Sequence, residues 1–392
     1  MQRLVWSLLT VLFFAFQTLK ANSNDTLKVV NWNLEFFGDN ASQLPQEMIK
    51  TRAIMDSLNA DVYALVEVVN KDSLNSLVKS LNGDYDYLIS SFGSFANNEN
   101  DPDWASAQKL AIVYRKSVVR NVTGRAFMKT SSSAYDDWSS GRFPYLVSAE
   151  VVGKDSNWLP MKFIIIHAKA YSDNNSCTRR KNGAIEMKDS LDQYFPNERI
   201  IILGDYNDDL DTTICSHYTT SNYLNFVNDS SHYIALTLPL SLQGLNSING
   251  YTSFIDHVIV SDDMLPYYVP ASAELLKSKV MSWVTGYNSF VSDHYPVETK
   301  FIITNPNGII PIVENQFKIY PNPADDQLFV ELQENEHCSL SIFTFTGCKV
   351  FSSELLQKNN SISMENYLTG NYLLRIVNKQ NNSVYTTIFS KK

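Results

Sequence analysis

Basic residues, cysteines and long apolar runs are all scarce in this chain of 392 residues, and each shortage excludes something. The 32 Lys and Arg are outnumbered by 41 Asp and Glu, leaving a formal charge of −9. An acidic chain has no global attraction to a polyanion, which argues against a tight nucleic-acid-binding module but leaves a turnover enzyme with a local basic or metal site open. Only 4 cysteines occur and none form a Cys-x-x-Cys pair, so a structural zinc site is not expected. No Gly-x-Ser-x-Gly is present, which removes the elbow of a serine hydrolase. Beyond the N-terminus no segment is long and apolar enough to span a bilayer. Internal repeats and long low-complexity tracts are absent too.

The N-terminus does carry one apolar run, Leu4 to Phe16, preceded by Arg3 and followed by small and polar residues. That is the pattern of a secretory signal peptide, expected over residues 1–21 with cleavage near Ala21. Export permits disulfides, and the cysteines divide two and two, suggesting Cys177–Cys215 and Cys338–Cys348. The length predicts two domains. Hydrophobic residues at 44% and charged residues at 19% leave no room for extensive disorder.

From Leu27 to Ile303 apolar strand-like runs alternate with helical patterns. Leu27–Trp32, Asp61–Val66, Leu110–Arg115, Met161–His167, Arg199–Leu203 and Phe254–Val260 read as buried strands. Leu74, Leu77, Val78 and Leu81 fall at helical spacing, as do Ala184, Met187 and Leu191. The mixture predicts a layered α/β domain over residues 22–303. Residues 304–316, rich in Asn-Pro and Asn-Gly turns, read as a linker. Over residues 317–392, Leu340 and Ile342 alternate with serines, Leu374 and Ile376 flank Arg375, and Gly347 and Gly370 mark turns. This predicts a small antiparallel β-sandwich.

Six short signatures occur in order: VVNWNLEFF, ALVEV, IIIHAKA, LGDYNDD, SFIDHVIVS and VSDHYPV. Carboxylates are costly to bury unless paired or bound to a cation. Glu67, Asp205 and Asp256 lie at the edges of apolar strands, where such partners are needed. With Asn33, Asn207 and His294 they make an oxygen-rich set suited to a hard cation, Mg2+ or else Mn2+ or Ca2+.

The ordered set resembles the endonuclease/exonuclease/phosphatase superfamily. The resemblance implies a four-layered α/β sandwich, two packed β-sheets flanked by helices, with the active site at one rim. It makes Glu67 the principal metal ligand beside Asn33, with Glu35 and Asp293 supporting the metal or its waters. Asp205 is similar to the residue that orients the attacking water, and Asn207 to the amide on the phosphate. His294 resembles the histidine that contacts the scissile phosphate, and Asp256 the carboxylate that holds its ring. His167 gives a second imidazole, able to protonate the leaving oxygen. Arg142 matches a family Arg-x-Pro segment and suggests a two-pronged grip on phosphate. His257 faces away from Asp256's side of a strand and is expected to be structural. Lys169 reads as solvated.

KIYPNPADDQLFVEL, FTFTGCKVF and YLTGNYLLRIV resemble the C-terminal sorting domain of the type IX secretion system. That implies export by the type IX machinery of a Gram-negative bacterium to the cell surface or beyond, with no stable protein partner. The leading expectation is a secreted nuclease acting on extracellular DNA or RNA. The alternatives are a phospholipid (sphingomyelin) phosphodiesterase or inositol phosphate phosphatase, and a surface adhesin on a degenerate catalytic fold. Substrate choice is expected in the loops 91–107 and 126–141, and LPYYVP (residues 265–270) is expected to pack rather than insert in a membrane.

Overall fold

A computed structural model describes residues 26–153, 156–303, 317–332, 337–344, 349–379 and 384–392. The expected signal peptide and linker lie outside these residues. Strands β1 (Leu27–Phe37), β2 (Val62–Val68), β3 (Tyr85–Ile89), β4 (Lys109–Arg115), β5 (Val119–Ala126) and β6 (Tyr145–Val152) come first. They are followed by β7 (Trp158–His167), β8 (Ile200–Asp205), β9 (Tyr233–Ala235), β10 (Asp256–Ser261), β11 (Glu274–Leu275) and β12 (Val297–Phe301). One sheet runs β11-β12-β1-β2-β4-β3 and the other β5-β6-β7-β8-β10-β9.

Each sheet has one parallel pair, and each parallel pair is joined by a helix. Helix α1 (Leu44–Leu58) carries the chain from β1 to β2. After α2 (Lys71–Ser80) and the short α3 (Ala134–Asp137), helix α4 (Asn174–Tyr194) does the same from β7 to β8. A parallel pair requires such a crossover. Two caps fix helix starts: Asn70 accepts from Ser73 N, and Asp173 accepts from Ser176 N.

The two-residue period of the strands sorts side chains between layers. Val29 of β1 and Val62, Ala64 and Val66 of β2 face the second sheet, joining Ile164, Ile166 and Ile202 in one core. Val30, Trp32, Tyr63 and Leu65 point the other way, onto α1 and α2. Ala184, Met187 and Leu191 bind α4 to the second sheet. The result is the expected four-layered α/β sandwich. Asn31 and Asn33 continue the inner face of β1, so polar side chains emerge between the sheets where the apolar rows end.

All six expected strands are present, although Phe254 and Ile255 precede β10 rather than join it. The pattern of β5, largely exposed along an edge, and the two-residue β11 gave no apolar run to read. Tyr267 and Tyr268 pack into the inter-sheet core, as expected for LPYYVP. Cys177 and Cys215 form a disulfide. Cys338 is buried, while its expected partner Cys348 lies outside the described residues.

The C-terminal strands are β13 (Phe317–Tyr320), β14 (Gln327–Leu332), β15 (Cys338–Thr344), β16 (Lys349–Leu355), β17 (Asn359–Ser363), β18 (Gly370–Asn378) and β19 (Val384–Lys391). They form antiparallel sheets β13-β14-β17 and β16-β15-β18-β19, which enclose Leu328, Leu340, Ile342, Leu374 and Ile376. Gly370 opens β18, whereas Gly347 lies outside the described residues.

Candidate active site

Strand register assembles the site. In the second sheet His167 pairs with Asp205 across parallel β7 and β8, and Asp205 pairs with Asp256 across antiparallel β8 and β10. Three chemistry-bearing residues from distant sequence therefore share one row. In the first sheet Asn33 stands opposite Val66, next to Glu67. The close approach of β8 to β7 depends on Gly204: its φ is 148°, and an added Cβ would lie 1.9 Å from the Ile166 carbonyl oxygen. Asn31 then reaches across the sheets to donate to Gly204 O at 2.8 Å.

Side chains from both sheets meet at this rim. Asn33 Nδ2 donates to Glu67 Oε1 at 3.0 Å and to Asp205 Oδ2 at 3.1 Å. His167 Nε2 lies 3.5 Å from each of those two carboxylates. His294 Nδ1 is 2.8 Å from Asp256 Oδ2, which orients its Nε2 to within 3.8 Å of Asp205 Oδ2. Asn207 closes the ring, its backbone N–H donating to Asp205 Oδ1 at 2.8 Å while its Nδ2 donates to Ala168 O at 3.2 Å. Glu35, Glu67 and Asn207 all hold positive φ, a conformation non-glycine residues rarely adopt and one that concentrates at functional sites.

The two imidazoles have opposite environments. Burial opposes a charge on His294, but the Asp256 and Asp205 carboxylates outweigh it and lift its pKa to about 10. Burial, then the Arg142 charge, hold His167 well below the usual range. A neutral His167 makes its approach to Glu67 and Asp205 a contact rather than an ion pair, and its buried Nδ1 has no hydrogen-bond partner among the described residues. Burial pushes the Asp205 carboxyl up, against the pull of His294.

Not every expected residue joins the centre. Glu35 is exposed and accepts from Asp293 N at 2.8 Å, so these two acids form an outer edge. Arg142 departs further from expectation. It is buried, its Nε donates to His167 O at 2.8 Å, and its Nη2 donates to Ala168 O at 2.9 Å and to Ser139 Oγ at 3.2 Å. Nη1 donates to Gln108 Oε1 and, at 3.4 Å, to Ser94 Oγ. All five N–H groups of a guanidinium are thereby occupied. No open fork remains for a phosphate, and the geometry gives Arg142 the work of holding the His167 strand end. His257 is structural in its contacts, 2.9 Å from Thr237 Oγ1 and 3.2 Å from Asp208 O.

Several supports carried no motif. Gln108 Nε2 donates to Glu67 Oε2 at 2.9 Å. Ser247 Oγ accepts from the backbone of Ile255 and Asp256, and Ser292 Oγ donates to Asn33 O at 2.7 Å while accepting from His294 N. Beside the group opens a cavity of about 750 Å³ reaching from Glu67 and His167 past Lys169 and Arg179 to the loops at Phe95 and Ser139.

The profile of the endonuclease/exonuclease/phosphatase family matches residues 30–294, well over half of the chain. The chain belongs to that family. As a member of the endonuclease/exonuclease/phosphatase family it shares the fold of the human Nocturnin catalytic domain, solved with bound sulfate. That pair is 15% identical, covers 71% of this chain and 94% of that one, and has a TM-score of 0.50. A family protein from Beutenbergia cavernae is 11% identical, covers 93% and 99% of the two chains, and has a TM-score of 0.48. D. rerio TDP2 complexed with a single-strand DNA product is 15% identical, covers 70% and 98%, and has a TM-score of 0.48. No curated protein sequence matches the chain. Residues 318–390 match the secretion system C-terminal sorting domain, which indicates a type IX route to the surface or exterior.

Family members act on phosphate esters with divalent metals, and the residues here fit such an ion. Glu67, His167 and Asp205 each present a ligand atom within 4.8 Å of the others. Two carboxylates this close and this buried are costly without a cation between or beside them.

Proposed function

We propose that this family member is a secreted, divalent-metal-dependent nuclease that hydrolyses phosphodiester bonds of extracellular DNA or RNA. The observation that supports it is the convergence of Asn33, Glu67, His167, Asp205, Asn207, Asp256 and His294 from both sheets into one rim. Glu67 and Asn33 would hold the ion, with Glu35 and Asp293 placed to hold its waters. The oxygen-rich set suits Mg2+. When bound, the ion supplies charge stabilisation to the phosphoryl oxygens. Asp205, fixed by Asn33 and Asn207, orients the attacking water. His294, kept cationic by Asp256, donates to a phosphoryl oxygen. His167, held neutral beside the same carboxylates, is not itself a proton source for the leaving oxygen, and the cationic His294 is the protonated imidazole of the two. Arg142 positions His167 and Gln108.

The sorting domain supports an extracellular substrate. The burial of Tyr267 and Tyr268 takes away the aromatic stretch best suited to a lipid surface, which favours nucleic acid over sphingomyelin. Assay of the purified protein on plasmid DNA, RNA, sphingomyelin and inositol phosphates, with Mg2+ and with chelator, tests the reading. Metal-dependent cleavage of DNA or RNA is expected. Turnover of the lipid or inositol substrates alone sinks the nuclease, and no turnover at all returns the chain to a non-catalytic surface role.

A further inference from the structure

Three aromatic side chains at the mouth of the catalytic cavity are unused by the chemistry above. Phe36, Phe95 and Tyr171 all line it, and all are open to solvent, at 51%, 64% and 70% exposure. Single exposed apolar residues are ordinary, but three rings around one cavity that also holds Glu67 and His167 are not scattered.

Their exposure is built rather than loose. Each ring sits on left-handed backbone, with φ of 54°, 64° and 78°, which bulky residues avoid unless neighbours enforce it. Phe36 N donates to Glu67 Oε2 at 3.2 Å, tying that ring to the proposed metal ligand. Phe95 N donates to Ser140 O at 2.7 Å. Behind Tyr171 the buried Arg180 donates to Lys169 O at 2.6 Å and to Tyr171 O at 3.1 Å. The same guanidinium reaches Cys215 Sγ of the disulfide at 2.9 Å. Lys169 Nζ rests 4.6 Å from the Tyr171 ring centre, so a cation stands beside an open π-face. Arg179 and the buried Arg142 bring the cations of the lining to three, against the acids Glu67 and Asp103.

Open rings and cations lining one cavity beside a phosphate-ester site match the chemistry of a nucleotide chain, whose bases stack while its phosphates meet charge. A duplex offers no free base face, because its bases already stack on one another; an unpaired base does. The net charge of −9 provides no long-range pull on a polyanion, which leaves stacking to supply affinity. Resting on the nuclease reading above, we infer that Phe36, Phe95 and Tyr171 form a stacking platform for unpaired bases flanking the scissile phosphate, and that the substrate is single-stranded nucleic acid.

The test compares three DNA substrates with Mg2+: a single strand, its duplex, and an abasic strand of equal length that keeps the phosphates and lacks the bases. The wild type should prefer the single strand over both others by about 10-fold or more in kcat/KM. Tyr171→Ala and Phe95→Ala should raise KM on the strand by about 5- to 100-fold, the size of one lost stack, and collapse its advantage over the abasic strand. Tyr171→Trp should restore it. In chelator, binding to the Glu67→Gln protein should quench a strand carrying 2-aminopurine, and Tyr171→Ala in that background should abolish the quench. Equal rates on strand and abasic strand, preference for duplex, or equal losses on all three substrates overturn the platform while leaving a nuclease standing. Loss of binding to sphingomyelin vesicles with strand binding intact would reassign the rings to lipid. If the wild type cleaves no nucleic acid, the parent reading fails instead.

Discussion

Glu67 is held at both carboxylate oxygens from within its own sheet: Asn33 holds one, and Gln108 and Phe36 N hold the other. Its replacement by Gln keeps the shape and removes the charge. Partners one step removed from a metal typically cost 10–100-fold, so Glu67→Gln should lower kcat/KM by at least about 100-fold. The same substitution should erase the stabilisation that Mg2+ gives, about 2.7 kcal/mol at a hundred times its dissociation constant. Thermal unfolding with and without Mg2+ reads this directly. An unchanged metal shift in the variant would place the ion elsewhere.

His257 gives a second test at this scale, unrelated to catalysis. Its burial lowers the ring from 6.5 to about 3. The unfolded chain takes up the proton that the folded chain refuses, so stability falls as pH drops below about 6.5. The loss continues toward about pH 3, at up to about 1.4 kcal/mol per unit. Between pH 7 and pH 5 the wild type should therefore lose about 2 kcal/mol more than His257→Gln in urea unfolding. Parallel pH curves would show that His257 is not held neutral. Residue identities were legible where chemistry demanded a rare side chain at a strand end, as with Asp205 and His294. Gln108, Ser247 and Ser292 were not, because one polar residue beside a strand has no pattern. The occupation of Arg142 was not legible for a related reason: its acceptors come from Ser94, Gln108, Ser139 and the end of β7, which only the fold brings together.

At the scale of elements, apolar runs revealed the buried strands, but nothing in them encoded the register that lines up His167, Asp205 and Asp256. The edge strand β5 escaped because its exposed residues carry no alternation. The Cys177–Cys215 pairing was legible because the cysteines divide two and two between the domains. It ties the first turn of α4 to the loop after β8 and closes a span of 38 residues. Loop closure of that length corresponds to about 4 kcal/mol. Replacing both cysteines with alanine should cost about that much stability in chemical denaturation. Arg180 would then lose its sulfur acceptor behind Lys169 and Tyr171, so KM should rise more than kcat falls. A fall in kcat alone, with KM held, would mean that the disulfide supports the catalytic row instead of the cavity edge.

Across the whole molecule the charge and the site pull in different directions. A chain of net charge −9 repels a polyanion at long range, yet the cavity gathers Lys169 and Arg179 beside the rim of Glu67 and His167. Affinity must therefore come from a few close contacts. Each phosphate neutralised on a single strand contributes about −0.7 to the slope of log affinity against log salt, so three contacts give a slope of about −2. Binding of a single strand by the Glu67→Gln protein, titrated from low to high NaCl, should show that shallow dependence. A slope of about −6 or steeper would require an extended basic track. Such a track would make the charge of the whole chain a poor guide to its surface. A slope near −2 would leave base contacts, rather than the phosphate chain, as the main source of affinity.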